Sequence, residues 1–358
     1  MTETSDFAES GVFQPDLRAG IALNPDSELL PVTRIGGVTT ILLRPTGGLI
    51  SGQASLARLA GWTAPEMILD YTAGLQIQWP SGDTTKRQEQ QAEFLRESRL
   101  YDRAMQRNGS TAREGNGATE KPASASEGSN TPADSAKPSP PAPIPDPRLE
   151  AMRPYIRGDK PVFIEANSRK EIAEALLFAE KEKLKIIITG GTDAWKLADE
   201  LKRRDVAVIV GPVMRAPVSE FDPHDAPYAN AGRLHAAGVR FCFRSNNASN
   251  SRNVPFEAGM AAAHGLPEEA ALRGVTLSSA EILGLADRLG SLTIGKQATF
   301  QVTDGSPLQP ATQLKALHID GRPIALESRQ TKFYDRYRTR LLEVQKSRTD
   351  PARVTGME

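Results

Sequence analysis

The sequence predicts an α/β protein built on parallel strands, either a (β/α) barrel or an open doubly wound sheet. From residue 148 onward, short apolar strand patterns alternate with helical ones. Their spacing of roughly twenty to thirty residues is the size of a βα unit. The strands are apolar throughout, as expected where helices cover both faces of a parallel sheet. With 358 residues, the chain suffices for two average domains or one large α/β domain.

The composition argues against several classes of protein. The 44 basic residues balance 44 acidic ones, so nothing in the net charge favours nucleic acid or an anionic membrane as a partner. No apolar run could span a bilayer, and the N-terminus lacks the apolar core of a signal peptide. A cytoplasmic location is therefore expected by default. The single cysteine, Cys242, lies in an apolar run and is expected in the core rather than in a disulfide or a metal site.

The first ordered segment is predicted over residues 20–83. It should contain a helix at 27–35, a strand at 38–43, a glycine-rich loop at 45–53 and a short helix within 62–75. The two glycine-rich stretches, at 46–53 and 189–196, do not match a phosphate-binding fingerprint.

The composition changes over residues 84–147, which we interpret as an insertion. Residues 84–107 are typical of a charged surface helix. Residues 108–147 are rich in Ser, Ala, Gly and Pro and nearly free of large apolar side chains. Such a segment cannot bury enough surface to offset its ordering entropy, so it is predicted to be disordered.

The rest of the chain, 148–288, should complete the α/β domain. Strands are predicted at 162–165, 185–189, 206–211 and 239–243, and helices at 169–183, 193–203, 228–237, 254–264, 267–274 and 278–285. Residues 289–326 change to short strands broken by Gly-Lys and Asp-Gly turns, which predicts a small antiparallel β unit. Residues 327–358 are predicted to form an amphipathic helix and a polar tail.

Two polar residues leave the strand at 162–165 together. Alternate side chains of a strand share a face, so Glu165 and Asn167 should point the same way, at the carboxyl end where α/β proteins place their chemistry. They act either as a general acid/base with a positioning amide, or they fill a polar pocket or cap the next helix. A capping box at Ser168 and Glu171 predicts where that helix begins.

Other candidates are weaker. Asn246 and Asn247 could bind a small polar ligand or form a turn. Asp222, His224 and Asp225 could contribute to a metal site, but the flanking prolines favour a surface loop. Three further histidines are read as structural or surface residues: His235, His264 and His318.

A long pattern in the C-terminal third resembles the closing segment of the amidohydrolase superfamily, most closely its imidazolonepropionase-related branch. The pattern is Thr-x-x-x-Ala-x-x-Leu-Gly from Thr276, Gly-Ser-Leu-x-x-Gly-Lys-x-Ala from Gly290, and Asp-Gly-x-Pro-Leu from Asp304. The Gly-Val-Thr-Thr stretch from Gly37 and the loop after it resemble the same branch. The resemblance implies a metal-dependent-hydrolase-type, TIM-like (β/α) barrel with a small appended β-sandwich unit. It also implies hydrolysis of non-peptide C–N bonds, such as those of cyclic amides, by water activated on a divalent metal such as zinc.

The resemblance also implies that most metal-ligand positions are replaced. Glu165 and Asn167 lie where the family has its fifth-strand His, Thr189 where it has the sixth-strand His, and Asn246 where it has the eighth-strand Asp. The family's His-x-His pair cannot be placed, because the first histidine is His224. We therefore expect the barrel to be N-terminally incomplete.

Three hypotheses for the function follow from these expectations. Glu165 is the only carboxylate kept at a family ligand position, so no metal or other cofactor is expected in this chain. The favoured hypothesis is a catalytically degenerate member that acts as a binding or interaction module, with a small polar ligand at the barrel mouth. The alternative is an active hydrolase whose ligands come from a missing N-terminal segment or from a partner chain that completes the barrel, or from a second copy. A third is a fragment of low stability.

Overall fold

A computed structural model describes residues 11–80, 85–115 and 144–349, with only the backbone described at 108–115 and 347–349. Within these ranges one sheet holds seven strands, which lie side by side in chain order. They are β1 Thr40–Leu43, β2 Ile50–Arg58, β3 Ile68–Gln78, β4 Val162–Ala166, β5 Ile186–Gly190, β6 Ala207–Val210 and β7 Phe241–Phe243.

The sheet combines an antiparallel hairpin region with a parallel one. Strands β1, β2 and β3 pair antiparallel, whereas β3 to β7 pair parallel throughout. Strand β1 therefore runs in the same direction as β3 to β7, and the carboxyl ends of these six strands share one edge. The sheet curls into half of a barrel, which confirms the predicted incomplete TIM-like (β/α) barrel.

Eleven α-helices accompany the sheet in the described residues, and most of them pack on its convex face. They are α1 Leu29–Ile35, α2 Ala64–Met67, α3 Thr85–Gly115, α4 Pro147–Ile156, α5 Arg169–Lys181, α6 Ala198–Arg203, α7 Ala226–Ala236, α8 Val254–Ala263, α9 Glu268–Gly274, α10 Leu277–Ile282 and α11 Arg329–Thr349. The four predicted parallel strands and the helices that follow them are confirmed to within two residues at most ends. Helix α5 begins at the predicted capping box, in which Ser168 and Glu171 satisfy each other's backbone amides.

Strands β2 and β3 correct two predictions. The glycine-rich loop predicted at 45–53 ends where β2 begins, and the helix predicted within 62–75 is limited to Ala64–Met67. The composition of β2 resembles a loop because it contains Gly52 and two serines, but eight of its nine residues are buried. Burial between two neighbouring strands decides its structure, which no local pattern could show.

Helix α3 corrects a third prediction in part. It runs to Gly115, eight residues into the segment predicted to be disordered from residue 108. The rest of the segment predicted to be disordered, 116–147, lies outside the described residues except for 144–147, where α4 begins at Pro147. The polar tail beyond residue 349 also lies outside them. The domain boundaries stay predictions.

An apolar cluster fills the concave face of the half-barrel. It contains Ala54, Phe163, Ile187, Ala207, Ile209, Cys242 and Ile282. Cys242 is 2% exposed and unpaired, and burial raises the pKa of its thiol to about 12, so the prediction of a core cysteine is confirmed. The larger apolar core lies on the other face, between the sheet and the helices.

Helix α10 closes the concave face from its open side. Ile282 packs with the cluster around Cys242, and Ala280 packs with Leu56 of β2. Leu283, directly after the helix, contacts both groups. The helix thus spans the gap between the two edge strands of the curled sheet. Whether a partner chain or a second copy also joins here stays a prediction.

A second, antiparallel sheet confirms the small β unit. Its strands are β8 Phe300–Thr303, β9 Leu314–Ile319 and β10 Arg322–Pro323, in the order β10-β9-β8. Leu317 and Ile319 are buried against Leu30 and Leu59, which ties this sheet to the N-terminal segment. His318, expected at the surface, is half-buried and stacks on Phe300 with ring centroids 4.7 Å apart.

None of the helices in the described part of the chain has the length and apolar character needed to cross a membrane. The cytoplasmic location stays a prediction.

The apolar cluster on the concave face gives a prediction about stability. Phe163→Ala empties the concave face at a fully buried ring, so we expect it to lower the free energy of unfolding by about 3–5 kcal/mol. Chemical denaturation measures the change. The matched control is Phe221→Ala, because that ring is 89% exposed and its loss should change stability by less than about 0.5 kcal/mol. Equal losses in the two variants would contradict the assignment of Phe163 to the core.

Candidate functional site

Polar side chains form a layer above the apolar cluster of the concave face, at the carboxyl ends of the strands. On four strands an inward apolar residue is followed two positions later by an inward polar one. The pairs are Leu42 and Arg44, Phe163 and Glu165, Ile187 and Thr189, and Cys242 and Arg244. Period-two alternation therefore carries four polar side chains into one place, which we call the barrel mouth.

The carboxylate of Glu165 is the centre of the barrel mouth. Arg244 donates to both of its oxygens, from Nη2 to Oε1 at 2.5 Å and from Nη1 to Oε2 at 2.6 Å. Arg44 Nη1 and Thr189 Oγ1 donate to Oε2 at 3.0 and 2.8 Å, and Asn167 Nδ2 donates to Oε1 at 3.4 Å. Five donors converge on two oxygens that offer about four lone-pair sites, so the carboxylate is saturated.

Burial and the charge of the ion-pair partner shift the pKa values of these groups in opposite directions. Burial alone would raise the pKa of Glu165, but hydrogen bonds from Arg244 and the charges of both arginines lower it to about 2. Burial, with repulsion from Arg244, lowers the pKa of Arg44 to about 10. The side chains of Arg44, Arg244 and Glu165 are 14%, 9% and 16% exposed. Glu165 and Arg44 are therefore charged at neutral pH, in a nearly buried cluster with Arg244.

Arg44 links both edges of the half-barrel. Its Nη1 also donates to Gln76 Oε1 of β3 at 3.0 Å and to Thr189 Oγ1 of β5 at 2.9 Å, and its Nη2 donates to Asn246 Oδ1 beyond β7 at 2.8 Å. Asn246 has a left-handed backbone, with φ of 53°, a conformation that asparagine tolerates better than most residues. One guanidinium thus connects strands from β1 to the segment after β7.

Gly190 provides the space for this packing. Its φ is 92°, and a Cβ there would lie 2.5 Å from Asn167 Oδ1 and 2.9 Å from Arg244 Nη2. Both the backbone conformation and the close approach require glycine at the end of β5.

Asn167 extends the network to the rim of the barrel mouth. It does not cap α5, since Ser168 does. Its Oδ1 accepts from Thr192 Oγ1 at 3.0 Å, and Arg215 Nη1 donates to the same Thr192 hydroxyl at 3.1 Å. Asn167 therefore connects Glu165 to a third arginine.

The structure separates the remaining sequence candidates from the barrel mouth network. Asn247 lies in a turn, where its Oδ1 accepts from the amide of Asn250 at 3.2 Å. Asp222 pairs with Lys196 at 2.6 Å, His224 is exposed, and Asp225 precedes α7 without capping it. Of the four predicted site residues, Glu165, Asn167 and Asn246 come together, and their role in binding stays a prediction.

Sequence reasoning missed the arginines. Arg44 and Arg244 each stand two residues beyond an inward apolar residue, directly after a strand. A charged side chain at the end of a buried strand, in phase with its inward face, was the available signal. Gln76 and Arg215 carry no comparable local signal.

The barrel mouth does not fit a divalent metal. A metal site needs lone pairs from several carboxylate, imidazole or thiolate groups, whereas the one carboxylate here is saturated by donors and is flanked by two fixed cations. No group of three or more His, Cys, Asp or Glu residues with metal-binding geometry occurs among the described residues.

A cleft of about 740 Å³ lies at the opposite, amino end of the strands. Its charged residues form partly exposed pairs, such as Lys160 with Asp70 and Arg240 with Asp205. Such pairs contribute little to stability or recognition. We place the candidate site at the barrel mouth, because there two arginines converge on one nearly buried carboxylate at the carboxyl ends of the strands.

Comparison with known proteins identifies a family segment. Residues 224–328 match the profile of the amidohydrolase family. A curated relative, amidohydrolase tasK of Hapsidospora irregularis, is 35% identical over 94 residues, which are 26% of this chain and 10% of that protein. The chain thus spans about a tenth of that relative.

One solved structure shares the fold over most of the chain. An amidohydrolase from Thermotoga maritima superposes with a TM-score of 0.72 at 23% identity, over 91% of this chain and 82% of that chain. A zinc-bound adenosine deaminase from Xanthomonas campestris covers 46% of this chain and 45% of its own, with 23% identity and a TM-score of 0.35. The resemblance to the amidohydrolase superfamily is confirmed, and the imidazolonepropionase-related branch stays a prediction.

The cluster predicts a large effect at Arg244. Arg244→Gln leaves Glu165 with one cation in a nearly buried site, so the free energy of unfolding should fall by about 3–5 kcal/mol. Arg240→Gln is the matched control, because Arg240 stands at the other end of β7 in a pair that is 50% and 81% exposed. Its loss should cost less than about 1 kcal/mol. Urea denaturation of the two variants compares them, and a small, equal loss in both would contradict the central role of the Glu165 pair.

Proposed function

We propose that this chain, which carries an amidohydrolase family segment on an incomplete amidohydrolase-type barrel, is a catalytically degenerate member that binds a ligand at its barrel mouth. One observation supports the proposal above all others. The carboxylate at the centre of the barrel mouth is held by Arg44 and Arg244, where a hydrolase of this family needs groups that activate water.

Water can be activated in two ways, and the described residues of the barrel mouth favour neither. A bound divalent metal lowers the pKa of water, but the donors present would repel a cation. A general base works best with a pKa near the operating pH, but the pKa of Glu165 is about 2. A carboxylate that accepts five hydrogen bonds also has no lone pair free for a proton.

The same layer suits a binding site. Its side chains are fixed by mutual hydrogen bonds between different strands, so little ordering entropy remains to be lost when a ligand binds. Below the layer the apolar cluster around Phe163 closes the barrel, which leaves the carboxyl ends of the strands as the accessible side.

The alternative is an active hydrolase with metal ligands from another segment or chain. It requires a different arrangement of the barrel mouth. Zinc at this position would have to displace both guanidinium groups from Glu165. No contact of the described residues favours that rearrangement. One experiment distinguishes the two functions.

The experiment measures metal content and metal response. Protein purified without chelators or a metal-binding tag should hold zinc, iron and manganese at background level by elemental mass spectrometry. Added zinc should leave the melting temperature unchanged, because only a ligand of the folded state raises it. A panel of cyclic amides and N-acyl amino acids should show no zinc-dependent hydrolysis.

Two results would overturn the proposal. One is near-stoichiometric metal. The other is zinc-dependent turnover that is lost in Glu165→Gln but kept in Glu281→Gln, a control carboxylate in an exposed pair with Arg273.

A further inference from the structure

We infer that the barrel mouth binds a small ligand through an oxyanion, a carboxylate or a phosphate, held by Arg215. This inference rests on the proposed binding function and names the chemistry of its ligand. It follows from a count of hydrogen-bond donors and acceptors in the barrel mouth.

The acceptors of the barrel mouth are already used. Both oxygens of Glu165 are saturated, Thr189 Oγ1 and Gln76 Oε1 accept from Arg44, and Asn246 Oδ1 accepts from the same guanidinium. Asn167 Oδ1 accepts from Thr192. Each of these acceptors already has a donor, so a ligand that brings acceptors gains more here than one that brings mainly donors.

Donors remain in excess. Arginine has five N–H groups and no acceptor, and toward the described residues Arg215 donates only from Nη1, to Thr192. Among the described residues no carboxylate lies within ion-pair distance of Arg215, and Arg44 Nε makes no hydrogen bond. The side-chain amide of Asn246 also donates to no described atom. The network therefore contains donors without acceptors, and an oxyanion bound at Arg215 supplies acceptors.

The charge of the cluster points the same way. Arg44, Arg244 and Arg215 carry three positive charges on one hydrogen-bonded network in which Glu165 is the one carboxylate. The nearby acids Asp193 and Asp222 share one cation, Lys196, at 3.2 and 2.6 Å, so this group carries one net negative charge, fewer than the two net positive charges of the network. A bound anion would offset charge that is partly removed from water, where its interactions are stronger than at an exposed surface.

Arg215 is positioned by a buried carboxylate. Glu257, 4% exposed on α8, accepts from the backbone amides of Val213 and Met214 at 2.5 and 3.0 Å. These contacts fix the turn directly before Arg215, and burial raises the pKa of Glu257. Guanidinium groups bind carboxylate and phosphate with two parallel hydrogen bonds when they are held in place.

The test is isothermal titration calorimetry of the full chain with inorganic phosphate and, separately, with succinate, at an ionic strength kept constant with chloride. We expect saturable binding of at least one probe, and the tighter probe identifies the source of the oxyanion. Arg215→Gln should weaken that binding at least about tenfold, the effect of one charge-assisted hydrogen bond. Arg240→Gln, remote at the amino end of β7, should leave it unchanged.

Two outcomes would overturn the inference. One is the absence of saturable binding for both probes. The other is equally tight binding of the probe by Arg215→Gln and Arg240→Gln. Both outcomes are separable from failure of the proposed function, because that failure is read from zinc content and zinc-dependent turnover, which this titration does not measure.

Discussion

The carboxylate of Glu165 between two guanidinium groups is the interaction on which the barrel mouth depends. Taken singly, each of the three charges would be costly to remove from water. Together they satisfy one another, and Thr189, Gln76 and Asn246 satisfy most of the remaining donors. Because Arg44 and Arg244 stand at opposite edges of the curled sheet, the same contacts hold those edges in one arrangement.

The interior of the half-barrel is therefore layered. An apolar layer around Phe163 and Ile282 fills the lower part, and the charged layer follows two residues later on each strand. The closed apolar layer excludes water from the lower side of the ion pairs. The ion pairs in turn fix the relative positions of the carboxyl ends of the strands. In a relative that activates water, this upper layer has to present lone pairs. Here it presents N–H groups, which is why anion binding fits the site and metal binding does not.

The parts of the fold that the sequence predicted are those set by neighbouring residues. The capping box at Ser168, the apolar strands β4 to β7 and the helices between them all follow from local pattern. Strands β2 and β3 were missed because their structure is decided by burial between other strands. Phe163, for instance, packs so closely on Gly74 of β3 that a Cβ there would lie 2.3 Å from the ring.

The site was predicted only in part for the same reason. Glu165 and Asn167 were found because they lie together at one strand end. The partners that define their chemistry are distant in sequence. Arg44 is 121 residues from Glu165, Arg244 is 79 residues away, and Arg44 is 202 residues from Asn246. Only the assembled sheet shows that two arginines from opposite edges surround Glu165.

The most direct test is a crystal structure of the chain grown with excess zinc, with anomalous diffraction recorded at the zinc edge. The account predicts both guanidinium groups on the Glu165 carboxylate at about 2.5–3.0 Å and no anomalous peak in the barrel mouth. A zinc peak bonded to Glu165, with Arg44 and Arg244 turned away, would contradict it.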